Sequence, residues 1–154
     1  MIKIMFVCHG NICRSPMAEF VMKDILKKRR LDGEFFVESA ATSREEIGNP
    51  IYPPVRRILG EMGIDFDNRK TARQVTTGDY DRFDYIVCMD RNNLQNITRI
   101  IPSDPLKKIS RLMDFTDQPR DVADPWYTGD FLQTKQDVTE GCDALLKFIL
   151  ENRK

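Results

Sequence analysis

Several features that fix a protein's class at a glance are missing from this chain. It has one histidine, His9, and one tryptophan, Trp126, in 154 residues. No run approaches the ~20 apolar residues of a membrane-spanning helix, so membrane insertion is not expected. Basic and acidic residues both number 24, so no net field draws the whole molecule to nucleic acid. The densest basic run, Lys27–Arg30, reads as a solvated helix end. The four cysteines, Cys8, Cys13, Cys88 and Cys142, lack the spacing of a disulfide framework, and a chain this long buries a core without staples. Cys8-x4-Cys13 beside His9 lacks zinc-ligand spacing, and no second pair stands near Cys88 or Cys142, so neither a metal nor another cofactor is expected. Repeats, low-complexity segments and domain linkers are absent. MIKIMFVC carries no charged leader or small-residue cleavage site, which places the expected location in the cytoplasm. There a conspicuous thiol is more readily chemical than structural.

What is present is an ordinary globular composition, 41% hydrophobic and 31% charged. Lys3–Cys8 is a continuous apolar run, as in a strand buried on both faces. Ser15 and Pro16 suit a helix start, and the pattern Met17, Phe20, Val21, Ile25 carries that helix to Lys27–Arg30. Phe35–Ala41 reads as a second strand, and Pro54–Met62 as a helix stopped by Gly63. Tyr85–Met89 reads as a third strand, Asn92–Ile100 as a short helix, Ile109–Met113 as a weaker fourth strand, and Phe115–Thr128 as loop. Phe131–Asn152 is a long amphipathic helix. Strands alternating with helices predict one α/β domain over residues 1–154: a three-layer sandwich with a mostly parallel four-stranded sheet and helices on both faces. A monomer is the default expectation. Ligands of such sheets sit beyond the carboxyl ends of the strands, where VCHGNICRSP lies.

A loop joining a buried strand to a helix start can turn successive N–H groups inward as an anion nest, and the helix adds partial positive charge. Gly10 and Asn11 tolerate backbone conformations that other residues resist. Arg14 brings a planar fork that matches the edge of a tetrahedral oxyanion. His9, Gly10, Asn11, Ile12, Cys13 and Ser15 would then surround a phosphate-like dianion, with His9 at the rim. Helix N-termini and nearby cations favour a cysteine's thiolate, so Cys8 at the base of this cradle reads as a nucleophile toward phosphorus. Ser15 is placed to donate its hydroxyl to that sulfur. A Cys–His protease pair is disfavoured because adjacent side chains at a strand end diverge.

Cys8-x5-Arg14-Ser15 is a protein tyrosine phosphatase signature, and CHGNICRSP near the start of so short a chain resembles the low-molecular-weight protein tyrosine phosphatases. Ser39–Ser43 (SAATS), Thr71–Val75 (TARQV), Phe83–Asp90 (FDYIVCMD) and Asp124–Tyr127 (DPWY) follow in family order, so the resemblance covers nearly the whole chain. It implies a flavodoxin-like, doubly wound fold and hydrolysis of phosphotyrosine in proteins through a cysteinyl phosphate. It also implies that Asp124, before rigid Pro125, is the general acid and later the base, with Asp121 as the fallback. Trp126 and Tyr127 would wall the slot for a phenyl ring, and the loop after Ser43 would supply the opposite wall. Where mammalian members carry an aromatic there, this chain has SREEIG. Ser43 is expected to support the loop through Asn11. Lys70 stands where a histidine of that supporting network is expected.

Alternatives follow from the same residues. A phosphoarginine phosphatase shares the loop but carries threonine where this chain has Ile12. An arsenate reductase needs a relay of further cysteines close together, whereas Cys88 and Cys142 read as core residues. A silent phosphotyrosine-binding module would need neither the thiolate nor the acid. Cys13, five residues after Cys8, is a candidate partner for a reversible disulfide under oxidation.

Overall fold

The computed structural model describes residues 1–153. Its elements are β1 (Ile2–Cys8), α1 (Arg14–Lys28), β2 (Phe35–Ala41), α2 (Pro53–Glu61), α3 (Asp79–Arg82), β3 (Tyr85–Cys88), α4 (Arg91–Ile97), β4 (Ile109–Arg111), α5 (Pro125–Thr128) and α6 (Phe131–Asn152), with a 3-10 turn over Leu112–Phe115. The sheet is parallel throughout, in the order β2-β1-β3-β4. The chain leaves β1 for β2 on one side and returns to β3 on the other. That reversal opens a crevice at the carboxyl end of β1, where open α/β sheets place their ligands.

The apolar run of β1 is explained by its two covered faces. Ile4, Phe6 and Cys8 join the core built with α1, α2 and α6, while Met5 and Val7 join Phe83, Ile86, Cys88 and Ile97 on the other face. Strand residues alternate between faces, so a strand covered on both sides has no polar position to spare. On α6, Val138, Cys142, Leu145, Leu146 and Ile149 are buried at helical spacing. An added Cβ on Gly141 would stand 2.5 Å from Leu112 Cγ, so glycine is what lets the 3-10 turn approach the helix. Among the described residues no helix is long and apolar enough to cross a membrane.

Sequence periodicity and structure differ in four places, one of them α4, which ends at Ile97 instead of Ile100. Helix α1 starts at Arg14, with Cys13 in the capping position and no side-chain cap, so Ser15 lies inside the first turn and spends its hydroxyl elsewhere. The fourth strand ends at Arg111 because Leu112–Phe115 winds into the 3-10 turn. Two four-residue helices, α3 and α5, are too short to show a helical period. Helix α5 lies inside the stretch expected to be loop and is fixed by its end groups: Asp124 accepts from the Trp126 N–H, Pro125 opens it, and Gly129 at φ 72° closes it.

Candidate active site

Cys8 is the last residue of β1 and is buried, with its sulfur at the base of the His9–Cys13 loop. The Asn11 N–H donates to Cys8 Sγ at 3.3 Å, and Ser15 Oγ lies 3.0 Å from it. Asn11, not Gly10, takes the left-handed backbone conformation (φ 59°) that turns this N–H toward the sulfur. Gly10 serves close approach instead: a Cβ there would stand 3.3 Å from Glu46 Cγ.

The hydrogen bonds under the loop run in one direction. The Arg73 N–H donates to Asn11 Oδ1, so Asn11 Nδ2 faces Ser15 Oγ (2.8 Å) and Ser39 Oγ (2.9 Å) as donor. Ser39 in turn donates to Glu19 Oε1 at 2.6 Å. Glu19 is buried and is held by Lys70 at 3.1 Å and Lys23 at 2.7 Å. Because Ser15 accepts from Asn11, its own proton is available to Cys8 Sγ at 3.0 Å, the Ala40 carbonyl being a longer alternative at 3.5 Å. Lys70 thus anchors the far end of the supporting chain. Ser43 does not reach Asn11: its hydroxyl donates to the His9 carbonyl at 2.8 Å, because Ser39 already fills that place. Ser39 and Arg73 lie inside SAATS and TARQV, but no sequence pattern assigns them or Glu19 a place under the loop, since each acts through partners remote along the chain.

Arg14 is the first residue of α1 and only 2% exposed. Its Nη1 donates to Asp90 Oδ2 at 2.6 Å and to the Val122 carbonyl at 2.9 Å, and its Nη2 to Asp124 Oδ2 at 3.3 Å. Burial works against the guanidinium's charge, but the negative charges of Cys8, Asp90 and Asp124 outweigh it and hold the group above its ordinary value. Asp90 is a site residue that sequence reading passed over. Its signal was the Asp90-x-x-Asn93 pair after β3, which forms a reciprocal cap on α4.

A slot of about 200 Å³ rises from Cys8 between Ile12, Cys13 and Arg14, with Asp124, Trp126 and Tyr127 on one wall and Glu45 and Glu46 on the other. The ring of Trp126 packs against Tyr52 at 4.9 Å, which steadies that wall, whereas Tyr127 is 83% exposed. His9 sits at the half-exposed rim, paired with Glu45. Asp121 is committed elsewhere, accepting from Arg111 at 2.8 Å and from the Arg91 N–H at 3.1 Å. Burial and the neighbouring negative charge of Cys8 push the Cys13 thiol up to about 12. Cys88 and Cys142 are fully buried on opposite faces of the sheet, so they cannot form a thiol relay with Cys8.

The geometry can hold a tetrahedral dianion over a sulfur nucleophile, with a carboxyl group at the slot's wall. The comparisons agree with it. The family model for low molecular weight phosphotyrosine protein phosphatase matches residues 3–154. The chain is 40% identical to the low molecular weight protein-tyrosine-phosphatase YfkJ of Bacillus subtilis, covering 100% of this chain and 99% of that one. The crystal structure of YfkJ superposes with a TM-score of 0.95, covering 100% of this chain and 98% of that one. An arginine phosphatase of Drosophila is 27% identical, with a TM-score of 0.87 over 99% of this chain and 100% of that one.

Proposed function

The chain belongs to the low molecular weight phosphotyrosine protein phosphatases, and from that premise we propose that it hydrolyses phosphotyrosine in proteins through a phosphate ester of Cys8. The observation that carries the assignment is the Ser15 hydroxyl 3.0 Å from Cys8 Sγ, placed to donate to the sulfur while it accepts from Asn11 Nδ2, an arrangement that stabilises a thiolate. In the first step Cys8 Sγ attacks phosphorus in line, and the S–P bond forms as the P–O bond to the phenol breaks. The loop N–H groups and the Arg14 fork hold the equatorial oxygens. Asp124, protonated, gives its proton to the departing phenolate oxygen. In the second step the Asp124 carboxylate takes a proton from water as its oxygen attacks phosphorus. The S–P bond then breaks, inorganic phosphate leaves, and Cys8 returns as thiolate with the Ser15 hydroxyl bonded to it.

Trp126 and Tyr127 receive one face of the phenyl ring, and Ile12 packs at its edge. Residues 1–154 act as one catalytic domain, working as a monomer in the cytoplasm on phosphotyrosine-containing proteins, with only its own side chains. The test is steady-state hydrolysis of phosphotyrosine, phosphoserine and phosphoarginine by wild type and Cys8→Ser. Phosphotyrosine should be the preferred substrate, and Cys8→Ser should be inactive on all three while still binding vanadate. Turnover by Cys8→Ser comparable to wild type would overturn the covalent route.

Phosphoarginine is the second reading, favoured by Glu45 and Glu46 on the slot's wall, which suit a guanidinium's donors. The same assay decides it: a wild type that prefers phosphoarginine would replace the phosphotyrosine assignment.

A further inference from the structure

The slot around Cys8 does not close on itself. It opens into a groove of about 460 Å³ that shares His9, Arg14, Asp124 and Tyr127 with it and runs along α4. Asn92 and Asn96 line that groove. Of the seven asparagines in the chain, five use their side-chain amides inside the protein. Asn11 bonds Ser15 and Ser39, Asn49 bonds Glu46, Asn68 accepts from Arg56, Asn93 caps α4, and Asn152 bonds the Phe148 carbonyl. Among the asparagines of the described residues, Asn92 and Asn96 are the two whose side-chain amides make no protein hydrogen bond, and both line the groove that shares residues with the slot.

Their spacing has a use. Residues four apart share one face of a helix and are displaced ~6 Å along its axis. Alternate residues of an extended chain repeat at ~6.6–6.8 Å. Each asparagine amide offers an acceptor oxygen and a donor nitrogen, the complement of a peptide unit's N–H and C=O. The carboxylates that line the groove are engaged within the protein: Asp121 Oδ1 accepts from Arg111 and the Arg91 N–H, Asp90 from Arg14 and the Asn93 N–H, and Asp124 from Arg14 and the Trp126 N–H.

We propose that this groove is a main-chain subsite, in which the extended residues flanking a substrate's phosphotyrosine lie along α4 and bond Asn92 and Asn96 through alternate peptide units. The proposal rests on the phosphotyrosine reading above and adds to it the form of the substrate. Recognition through the backbone favours an extended tail or unfolded loop over a tyrosine held in a helix, with little demand on the neighbouring side chains. A single groove lined by these amides can take the residues on one side of the phosphotyrosine.

The experiment compares kcat/KM for capped phosphotyrosine with that for the same residue extended by three alanines on its amino side or on its carboxyl side. Wild type and the double variant Asn92→Ala/Asn96→Ala are both measured. One extension should raise kcat/KM in wild type by about three- to tenfold, as expected for one or two net hydrogen bonds, and the double variant should lose most of that gain. N-methylation of the peptide units in the favoured extension should lose it in wild type too. The extension ratio is internal to each protein, so a general loss of rate from a displaced α4 does not move it. Alanine is also the better helix former at these outward positions. A wild type that gains from neither extension, or a double variant that keeps the full gain, would overturn the subsite. Failure to hydrolyse any of the three compounds would instead overturn the phosphotyrosine reading, and this subsite with it.

Discussion

Asp90 divides its carboxylate between two tasks: Oδ2 holds Arg14 Nη1 at 2.6 Å, and Oδ1 accepts the Asn93 N–H at 2.8 Å to cap α4. The guanidinium fork proposed to grip phosphate is therefore fixed to the end of β3, the strand paired with the one that carries Cys8. Arg14 has little freedom to find its geometry again if this anchor is lost, since Val122 and Asp124 are its other protein partners.

Asp90→Asn should separate the two tasks. The amide oxygen can still cap the helix, but the NH₂ group then faces the donors of Arg14 and cannot accept from them. Expected are a kcat/KM about tenfold lower and weaker product inhibition by phosphate, with a melting temperature near wild type. Asp90→Ala should add a loss of about 1 kcal/mol from the missing cap. Wild-type phosphate affinity and kcat/KM in Asp90→Asn would show that the anchor has no catalytic consequence.

Ser15→Ala removes the hydroxyl proton aimed at Cys8 Sγ and leaves Asn11 Nδ2 one acceptor short. The sulfur then has the Asn11 N–H as its remaining close donor. Breakdown of the cysteinyl phosphate should suffer more than its formation, because the departing thiolate draws most on that proton. Rapid-quench measurement should find phosphoenzyme accumulating in Ser15→Ala to a level that wild type does not reach. Equal slowing of both steps would assign Ser15 a purely structural role.

Asp124→Asn should slow hydrolysis of phosphotyrosine by about 10²–10⁴-fold, the usual worth of a positioned proton donor. An aryl phosphate with an acidic phenol needs less protonation as it leaves, so its formation step should slow much less. Burst kinetics on both substrates isolates that step from the later one, in which Asp124 is proposed to act as base. Identical slowing of the two bursts would remove Asp124 as the acid.

The features legible in the sequence are those whose cause is local. The apolar run of β1 and the α6 period announce buried elements, and both helix ends of α6 fall where its pattern places them. The Cys8–Ser15 loop carries its chemistry in consecutive residues. What escaped is whatever depends on a distant partner. Ser39 sits under the loop because β2 pairs with β1 in a register that sets Phe6 opposite it, and no spacing rule contains that register. Asp90 reaches Arg14 across 76 positions. Ser43 is the serine expected beside Asn11, yet Ser39, four residues earlier, occupies that place. Helix α5 shows the lower limit of periodicity: four residues cannot display a 3.6-residue repeat, though Asp124, Pro125 and Gly129 mark its ends.

Cys13 should behave as a resolving thiol rather than a second nucleophile. Burial and the charge of Cys8 push it up to about 12, so it stays protonated throughout the neutral range and is a poor first target for peroxide. Once Cys8 is a sulfenic acid its negative charge is gone. A Cys13 thiol in the same loop can then condense with it, releasing water and forming the disulfide. After a pulse of peroxide, thiol should restore wild-type activity and restore Cys13→Ser much less, because unprotected Cys8 proceeds to the sulfinic acid. Equal recovery in both proteins would leave Cys13 as a packing residue.

Ile12 bears on which phosphorylated residue the slot accepts. It is 9% exposed and lines the slot, while its carbonyl accepts the Tyr52 N–H at 2.9 Å, tying the loop to the residue that backs Trp126. Its branched apolar side chain suits a phenyl ring. A guanidinium beside it would give up water from donors that an isoleucine cannot satisfy. Glu45 and Glu46 on the facing wall pull the other way, since they can accept from those donors. The balance therefore turns on one side chain. Ile12→Thr keeps the branch at Cβ and introduces a hydroxyl, so the loop should fold unchanged and the ratio of kcat/KM should move toward phosphoarginine. A change of this size in pocket chemistry is worth ~1–3 kcal/mol, about 10–200-fold in the ratio. Preference should shift within that range without full exchange. An unchanged ratio in Ile12→Thr would show that the acidic wall, and not Ile12, sets the choice. The matching experiment is then Glu45→Gln/Glu46→Gln, in which phosphoarginine turnover should fall relative to phosphotyrosine.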